Sequence, residues 1–523
     1  MRRPIFLSCL VFLFSLILLV STSEMLPLVW DEGELIERAS NIGTWCKNPV
    51  FTQELIAAHW KTTTVVEGHP AGYALVIAAG KKVADFLPWL PPKTAWRFGS
   101  MLFMSLALAV TFARLQKIEG TLAGFLAVLA VLCFPRVFAH AHFATCDAPL
   151  VAAWLLCWAV FPMSPETDSR PRCSQMIFPM ILWGFTLGLV FSMKFTGWVA
   201  AVPFLVFGMI HFKRLAFPML IGLGVALFTF YLLSPPLWFR PVSGFHDFFT
   251  LNTHREQSFN IAVLFLGRMY DLYHPLPWYN TIVWVFITTP LLFFPLLVCG
   301  VRRVMKKPSL GLLLMFHGVV LLIVRAIPGM PVHDGVRLFV AGFPFLGILT
   351  GIGAAHLFRK KFLPARLFVI LAFVVALGNM VVYAPQWLSY YNLAIGGLPG
   401  AVQRGMEATY YWDSLDREVI HWLNTHTEAD EKVKFAPSSS KTLRLVRDWE
   451  NLMPPFATAS PGQYRWYAIQ RRPSAFYAVD RRLLRHAKPV YVKTVVGTPV
   501  LYVFAYTDYE AALLTTENER QQK

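Results

Sequence analysis

Apolar runs long enough to cross a bilayer, separated by short polar clusters, dominate the chain from Ile5 to Tyr383. A helix needs roughly 20 apolar residues to span the hydrocarbon core. The first run, Ile5 to Val20 after Arg2-Arg3, reads as a first span or as a secretory signal, since Ser21 and Ser23 are small. Either reading puts Asp31 outside the cytoplasm. Residues 24–93 then form a long outer loop, in which Ala71 to Ala79 is apolar but too short to cross and predicts a helix lying on the membrane. Further spans are expected near 94–113, 120–138 and 147–163. From Met176 to Phe212 the chain is almost continuously apolar, which at ~1.5 Å per residue is too long for one crossing. The chain must reverse at Ser192-Met193-Lys194-Phe195-Thr196-Gly197, which leaves Lys194 at an outer turn. Spans near 215–233, 279–301, 309–326, 337–356 and 364–384 bring the set to about eleven.

The pattern changes after Tyr383. Asp413 to Asn424 predicts a capped amphipathic helix, and Val490 to Val496 with Val500 to Tyr506 predict two strands joined at Gly497-Thr498-Pro499. The expected organisation is a transmembrane domain over 1–384 and a small α/β domain over 385–523. An odd number of spans places that second domain outside the cytoplasm. No internal repeat or low-complexity segment is visible.

Composition and charge sharpen this picture. Of 523 residues 56% are hydrophobic and 15% charged, with a mean hydropathy of +0.51, which excludes a soluble domain of this length. The net charge of +17 raises nucleic acid as a partner, but the basic residues cluster between spans, as cytoplasmic loops do. Arg114 and Lys117, Arg170 and Arg172, Lys213-Arg214, Arg302, Arg303, Lys306 and Lys307, then Arg359, Lys360, Lys361 and Arg366 fall on one side. Arg97 and Arg325 run against that pattern. Seven cysteines without a CxxC give no zinc or dithiol signature. Cys46 and Cys146 both fall outside, where oxidation could bridge them.

This topology gathers charge on the outer face: Asp31 and Glu32; His59 and His69; His140, His142 and Asp147; Lys194; His246, Asp247, His254 and Arg255; His333, Asp334 and Arg337. Ionisable groups at a membrane edge are costly unless paired or used. Carboxylates beside cations suit an anionic substrate with a general base. Simpler roles stand beside this one. Asp31 could cap a helix from Glu34, with Glu34 closing a capping box, and Asp147 could cap the fourth span. Lys194 and Arg337 could be interfacial anchors. The histidines show no metal spacing beyond the weak His140-x-His142 pair.

Several stretches in order resemble a known group. Trp30-Asp31-Glu32-Gly33 with Glu37-Arg38-Ala39 and Gly43-Thr44-Trp45, His69-Pro70, Asp147-Ala148-Pro149 and the Lys194 turn are similar to the polyprenyl-phosphate-sugar-dependent glycosyltransferases of the GT-C fold. That group includes the dolichyl-phosphate-mannose protein mannosyltransferases and the bacterial aminoarabinose lipid A transferase. His333-Asp334-Gly335-Val336-Arg337 before Gly342-Phe343-Pro344 resembles its later Arg-to-Pro motif. Tyr390-Tyr391-Asn392, Gly396-Gly397, Tyr410-Tyr411-Trp412-Asp413 and Val490 to Tyr506 resemble bacterial members' juxtamembrane and outer-domain motifs. The resemblance implies an inverting transfer from a polyprenyl-phosphate sugar to an acceptor hydroxyl on a lipid, glycan or protein, at the outer face of the inner membrane. It implies catalytic roles for Asp31, its neighbour Glu32 and Asp147, and substrate or phosphate contacts from Lys194, Arg337, His69 and His333. A lipid phosphate is a stable anionic leaving group, so cations are needed more than a protonating acid. No cofactor is implied, and a divalent metal stays open. A transporter or a non-catalytic envelope assembly protein is the alternative; the spans carry almost no ionisable residues at their centres, where transporters place them.

Overall fold

Helices carry the chain to Val382, and a four-stranded sheet with flanking helices follows. The structure, a computed structural model, describes residues 2–60, 68–162, 173–254, 260–306 and 308–521. Arg170, Arg172, Arg255 and Lys307, and the side chains of Arg2, Arg3, Lys213 and Arg214, lie outside the described residues. Among the described residues, Pro4–Ser23, Pro92–Ile118, Gln175–Met193, Leu215–Leu232, Gly335–Phe358 and Leu363–Val382 are long and apolar enough to cross a bilayer. The shorter apolar helices Thr121–Leu132, Asp147–Val160, Phe195–Ile210 and Gly311–Ala326 fall on four of the remaining expected spans.

The last expected span is not straight. Where 279–301 predicts one helix, Asn280–Thr288 and Phe293–Val304 meet at 115°. Pro290 lacks an N–H and forces Thr289 into an extended conformation, with ψ of 138°. The carbonyls freed by the break are taken by Asn392. Its side-chain amide donates to Phe286 O (2.6 Å) and Thr289 O (2.8 Å), and its backbone N–H donates to Ile287 O (2.8 Å). In apolar surroundings such backbone groups need internal partners. Tyr390-Tyr391-Asn392 therefore splints a broken helix, with Arg136 donating to Tyr390 O at 3.0 Å and stacking over the Tyr391 ring.

The reversal expected at Lys194 is present: one helix ends at Met193 and a 3₁₀ turn, Phe195–Ala200, starts the return. The apolar stretch at Ala71 to Ala79 forms the helix Gly72–Ala84, whose Tyr73, Ile77, Gly80 and Ala84 make one stripe. That stripe is buried among neighbouring helices, Glu32–Lys47 and Pro92–Ile118 included. Glycines set the approach, since a Cβ at Gly80 would lie 2.0 Å from Gly99 Cα. At the opposite end from Lys194, Glu119 pairs with Arg303 (3.4 Å) and its carbonyl accepts from Arg359 (2.8 Å), so loops expected on one side do meet.

A small hairpin, β1 (Val263–Phe265) with β2 (Arg268–Tyr270), precedes the C-terminal sheet. That sheet comprises β3 (Glu431–Ala436), β4 (Gln463–Gln470), β5 (Tyr491–Val495) and β6 (Thr498–Ala505), in the order β3-β4-β6-β5. Only β3 and β4 run parallel. The expected hairpin is β5–β6, though its turn lies at Val496-Gly497, both at positive φ, and Thr498 already begins β6. The expected helix starts later, at Arg417–His426, where Asp416 accepts from Val419 N at 3.2 Å. Asp413 is instead buried and accepts the Thr409 hydroxyl. Cys46 is exposed, Cys146 is buried, and both are free thiols, so the expected bridge is absent.

Candidate active site

Five side chains from four distant stretches meet at one end of the helical bundle. Arg337 is their hub: its Nε donates to Asp147 Oδ2 (2.8 Å), its Nη1 to Asp334 Oδ2 (2.8 Å) and its Nη2 to Asp31 Oδ2. Lys194 Nζ donates to the other Asp147 oxygen at 2.7 Å. Asp31 and Lys194 are thus joined through Asp147 and Arg337. Such charge-assisted bonds are strong, and the planar guanidinium fixes their directions.

Local structure explains why these residues reach the site. Asp31 occupies the position before the helix Glu32–Lys47 but makes no capping bond, and Glu34 pairs with Arg38 and Lys441 instead. The capping-box reading therefore fails, and the Asp31 carboxylate is turned to Arg337. Asp147 is the first residue of its helix, not the cap, and its fully buried carboxylate bridges two cations. Asp334 and Gly335 hold left-handed φ of +61° and +50°, a turn suited to Asp-Gly, which swings Arg337 back beside Asp334. Asp31 is the open member of the set: its side chain is 29% exposed, against 0% for Asp147 and about a tenth for Lys194 and Arg337.

Glu32 lies one residue away in a different environment. Its Oε1 accepts from Arg97 Nε (2.7 Å) and Ala144 N (3.0 Å); its Oε2 accepts from Arg97 Nη2 (2.7 Å) and Val29 N (3.0 Å). Arg97 also donates to the carbonyls of Ser23, Leu26 and Pro27. Both side chains are completely buried. Arg97, which breaks the charge pattern of the sequence, is accounted for by this pair, and the pair ties the first loop to the Pro92–Ile118 helix.

The C-terminal region contributes directly. The Tyr411 hydroxyl donates to Asp31 Oδ2 at 3.0 Å, and its ring lies 4.1 Å from the Arg337 guanidinium carbon. Burial, together with the Asp31 and Asp147 charges, pushes the Tyr411 phenol up, so it stays a donor despite Arg337. Arg472, wholly buried, reaches Asp334 Oδ1 (3.1 Å), Glu407 (3.6 Å) and the Tyr410 carbonyl (2.6 Å). An ionic chain thus runs from Arg472, just after β4, through Asp334 to Arg337. The helix Ser440–Glu450 abuts Gly33 so closely that a Cβ there would lie 2.4 Å from Thr442 N, while Thr442 Oγ1 donates to Trp30 O (2.8 Å). That contact explains the glycine in Asp31-Glu32-Gly33.

His69 is half-buried, shortly before the Gly72–Ala84 helix. His333 adjoins Asp334, but burial, with Arg325, Arg337 and Arg472 nearby, pushes its imidazole down to about 4, so it is neutral at physiological pH. A neutral ring there can act as a hydrogen-bonding group. His140 meets the Tyr410 hydroxyl (3.0 Å), His142 the Thr22 hydroxyl (2.9 Å), and His59 the Asn41 carbonyl (3.1 Å). Asp247 pairs with Arg240 elsewhere on the surface. Among the described residues no group of three His, Cys, Asp or Glu side chains is placed to hold a metal ion. Asp334 and Tyr411 stand in stretches the sequence singles out; Arg472 and Glu407 carry no sequence signal.

Comparisons with known proteins agree with this architecture. The family described as dolichyl-phosphate-mannose-protein mannosyltransferase matches residues 68–239, a segment with His69, Asp147 and Lys194 but without Asp31 or Arg337. No curated protein matches the chain. Among solved structures, ArnT from Cupriavidus metallidurans in the apo state aligns with a TM-score of 0.52 at 14% identity, covering 95% of this chain and 97% of that one. The same protein bound to undecaprenyl phosphate aligns at 0.47 and 15% identity, with the same coverage. The Archaeoglobus fulgidus oligosaccharyltransferase in the apo form aligns at 0.46 and 12% identity, over 87% of this chain and 61% of that one. The first of these shows the fold: a GT-C-type multi-pass helical membrane protein.

Proposed function

We propose that this protein is an inverting membrane glycosyltransferase that moves a sugar from a polyprenyl-phosphate carrier to an acceptor hydroxyl on the extracytoplasmic side. The observation that carries the reading is the convergence of Asp31, Asp147, Lys194 and Arg337 at one end of the bundle, with Asp31 alone substantially open. The mannosyltransferase match over 68–239 supports the donor class. Asp31 takes the acceptor proton as the acceptor oxygen bonds to the anomeric carbon. The bond from that carbon to the phosphate oxygen breaks, and the lipid phosphate leaves as an anion held by Lys194 and Arg337. Asp147 orients both cations, and Glu32 sets the position of Asp31 through its pair with Arg97.

Charge counting adds an order of events. Each guanidinium nitrogen of Arg337 already donates to a carboxylate, so an incoming phosphate competes with those carboxylates for the cation. Asp147 is buried and Asp334 is held by Arg472, which leaves Asp31 as the exchangeable partner. Donor binding therefore releases the base. The test is transfer by purified protein in vesicles supplied with labelled polyprenyl-phosphate sugars. Asp31→Asn should insert and fold normally but lose about 10²–10⁴-fold in transfer, the usual contribution of a general base. Near-normal turnover would remove Asp31 from the mechanism.

A further inference from the structure

Next to the stretches that carry Asp31 and Tyr411 lies a concavity that the donor chemistry does not use. It is a cleft of about 300 Å³, partly open to solvent, between the first loop and the outer domain. Trp30, Trp412, Ser438, Ser439 and Gln470 line it with several aliphatic residues, and no charged side chain contributes. It adjoins the base by chain connectivity: Trp30 precedes Asp31, and Trp412 follows Tyr411, whose hydroxyl holds Asp31.

Three features mark this cleft as built for a ligand. The Trp30 and Trp412 rings are 4.5 Å apart and tilted by 38°, giving a broad aromatic wall. Trp412 adopts φ of +55°, a conformation bulky residues rarely take, and the Arg472 guanidinium stacks 4.1 Å from its ring. Its indole N–H is buried and finds no acceptor among the described residues. Gln470 uses its oxygen to accept from Ser414 N (3.0 Å), while its amide nitrogen makes no hydrogen bond among the described residues. An aromatic wall beside the Gln470 amide N–H₂ suits a ligand with an apolar face and a hydroxyl acceptor. A phosphorylated or carboxylated head group would lose its water here without gaining a cation.

Resting on the glycosyl-transfer reading, we propose that the Trp30–Trp412 cleft is the acceptor subsite, seating an uncharged sugar ring that presents one hydroxyl to Asp31. The ring's C–H face lies on the indoles, and one of its hydroxyls accepts from the Gln470 amide N–H₂.

The test combines transfer kinetics with direct binding, by saturation-transfer NMR, of neutral methyl hexosides to the full-length protein in detergent. Trp412→Phe and Gln470→Ala should each raise the acceptor KM roughly tenfold, the size of one lost aromatic or polar contact, and leave affinity for polyprenyl phosphate unchanged. Neutral hexosides should bind the wild type and weaken in both variants. Unchanged acceptor KM and hexoside binding in both variants would overturn the proposal. So would competition by a phosphorylated glucosamine lipid or a serine peptide, with none by neutral glycosides. If the wild type binds hexosides at this cleft but no carrier phosphate, the donor reading fails and the saccharide subsite stands.

Discussion

Replacing Glu32 should damage the fold, and the structure sets the size of the effect. Glu32 accepts four hydrogen bonds, two of them from Arg97, and neither side chain is exposed at all. Glu32→Gln removes the charge that balances Arg97 and turns one amide N–H₂ toward existing donors. Removing one partner of a buried pair costs about 3–5 kcal/mol, because the other charge stays desolvated. That is a large share of the roughly 5–15 kcal/mol that holds a typical domain folded. The effect should appear as a marked fall in the thermal midpoint of detergent-solubilised protein, measured beside Asp31→Asn, which should leave that midpoint nearly unchanged. Glu32→Gln combined with Arg97→Met should recover much of the loss, since no charge is then stranded. A Glu32→Gln protein as stable as wild type, or a double variant no better than the single one, would refute a structural role for the pair.

Two further outcomes are expected. Arg472→Lys keeps a charge but loses the planar stack on Trp412 and the fork to Asp334 and Glu407; kcat should fall about tenfold or more with donor KM unchanged, and an unaltered kcat would sever the ionic chain from catalysis. His333, whose folded value of about 4 lies below its unfolded one, contributes stability that is complete above roughly pH 6.5 and is lost as pH falls toward 4. His333→Gln should therefore flatten part of the acid limb of a stability–pH profile; superimposable profiles would contradict its burial as a neutral ring.

Much of the fold was legible because the bilayer imposes a length rule on apolar runs. The Lys194 reversal followed from that rule alone. The broken helix at Pro290 was missed because the run 279–301 has the right length and composition, and its break depends on Asn392, a hundred residues on, capping the freed carbonyls. The packing of Gly72–Ala84 was not legible for a related reason: its close approach to Pro92–Ile118 depends on Gly80 meeting Gly99, which no local pattern announces. At the site, Asp31, Asp147, Lys194 and Arg337 were found by sidedness and order. Pairing was not legible. Glu32 and Asp31 are adjacent in sequence yet point to different partners, and only the fold shows that one is closed off by Arg97 while the other is open. Arg472 lies in a polar stretch among many arginines, and nothing local marks it as the one drawn to Asp334.

The central claim is that Lys194 and Arg337 hold a lipid phosphate and that Asp31 competes with it for Arg337. Titrating polyprenyl phosphate against wild type, Asp31→Asn and Lys194→Ala tests this most directly. The account predicts binding at least as tight as wild type for Asp31→Asn, whose competing charge is gone, and binding weakened at least roughly tenfold for Lys194→Ala, the cost of one charge-assisted contact. Identical affinities in all three proteins would contradict it.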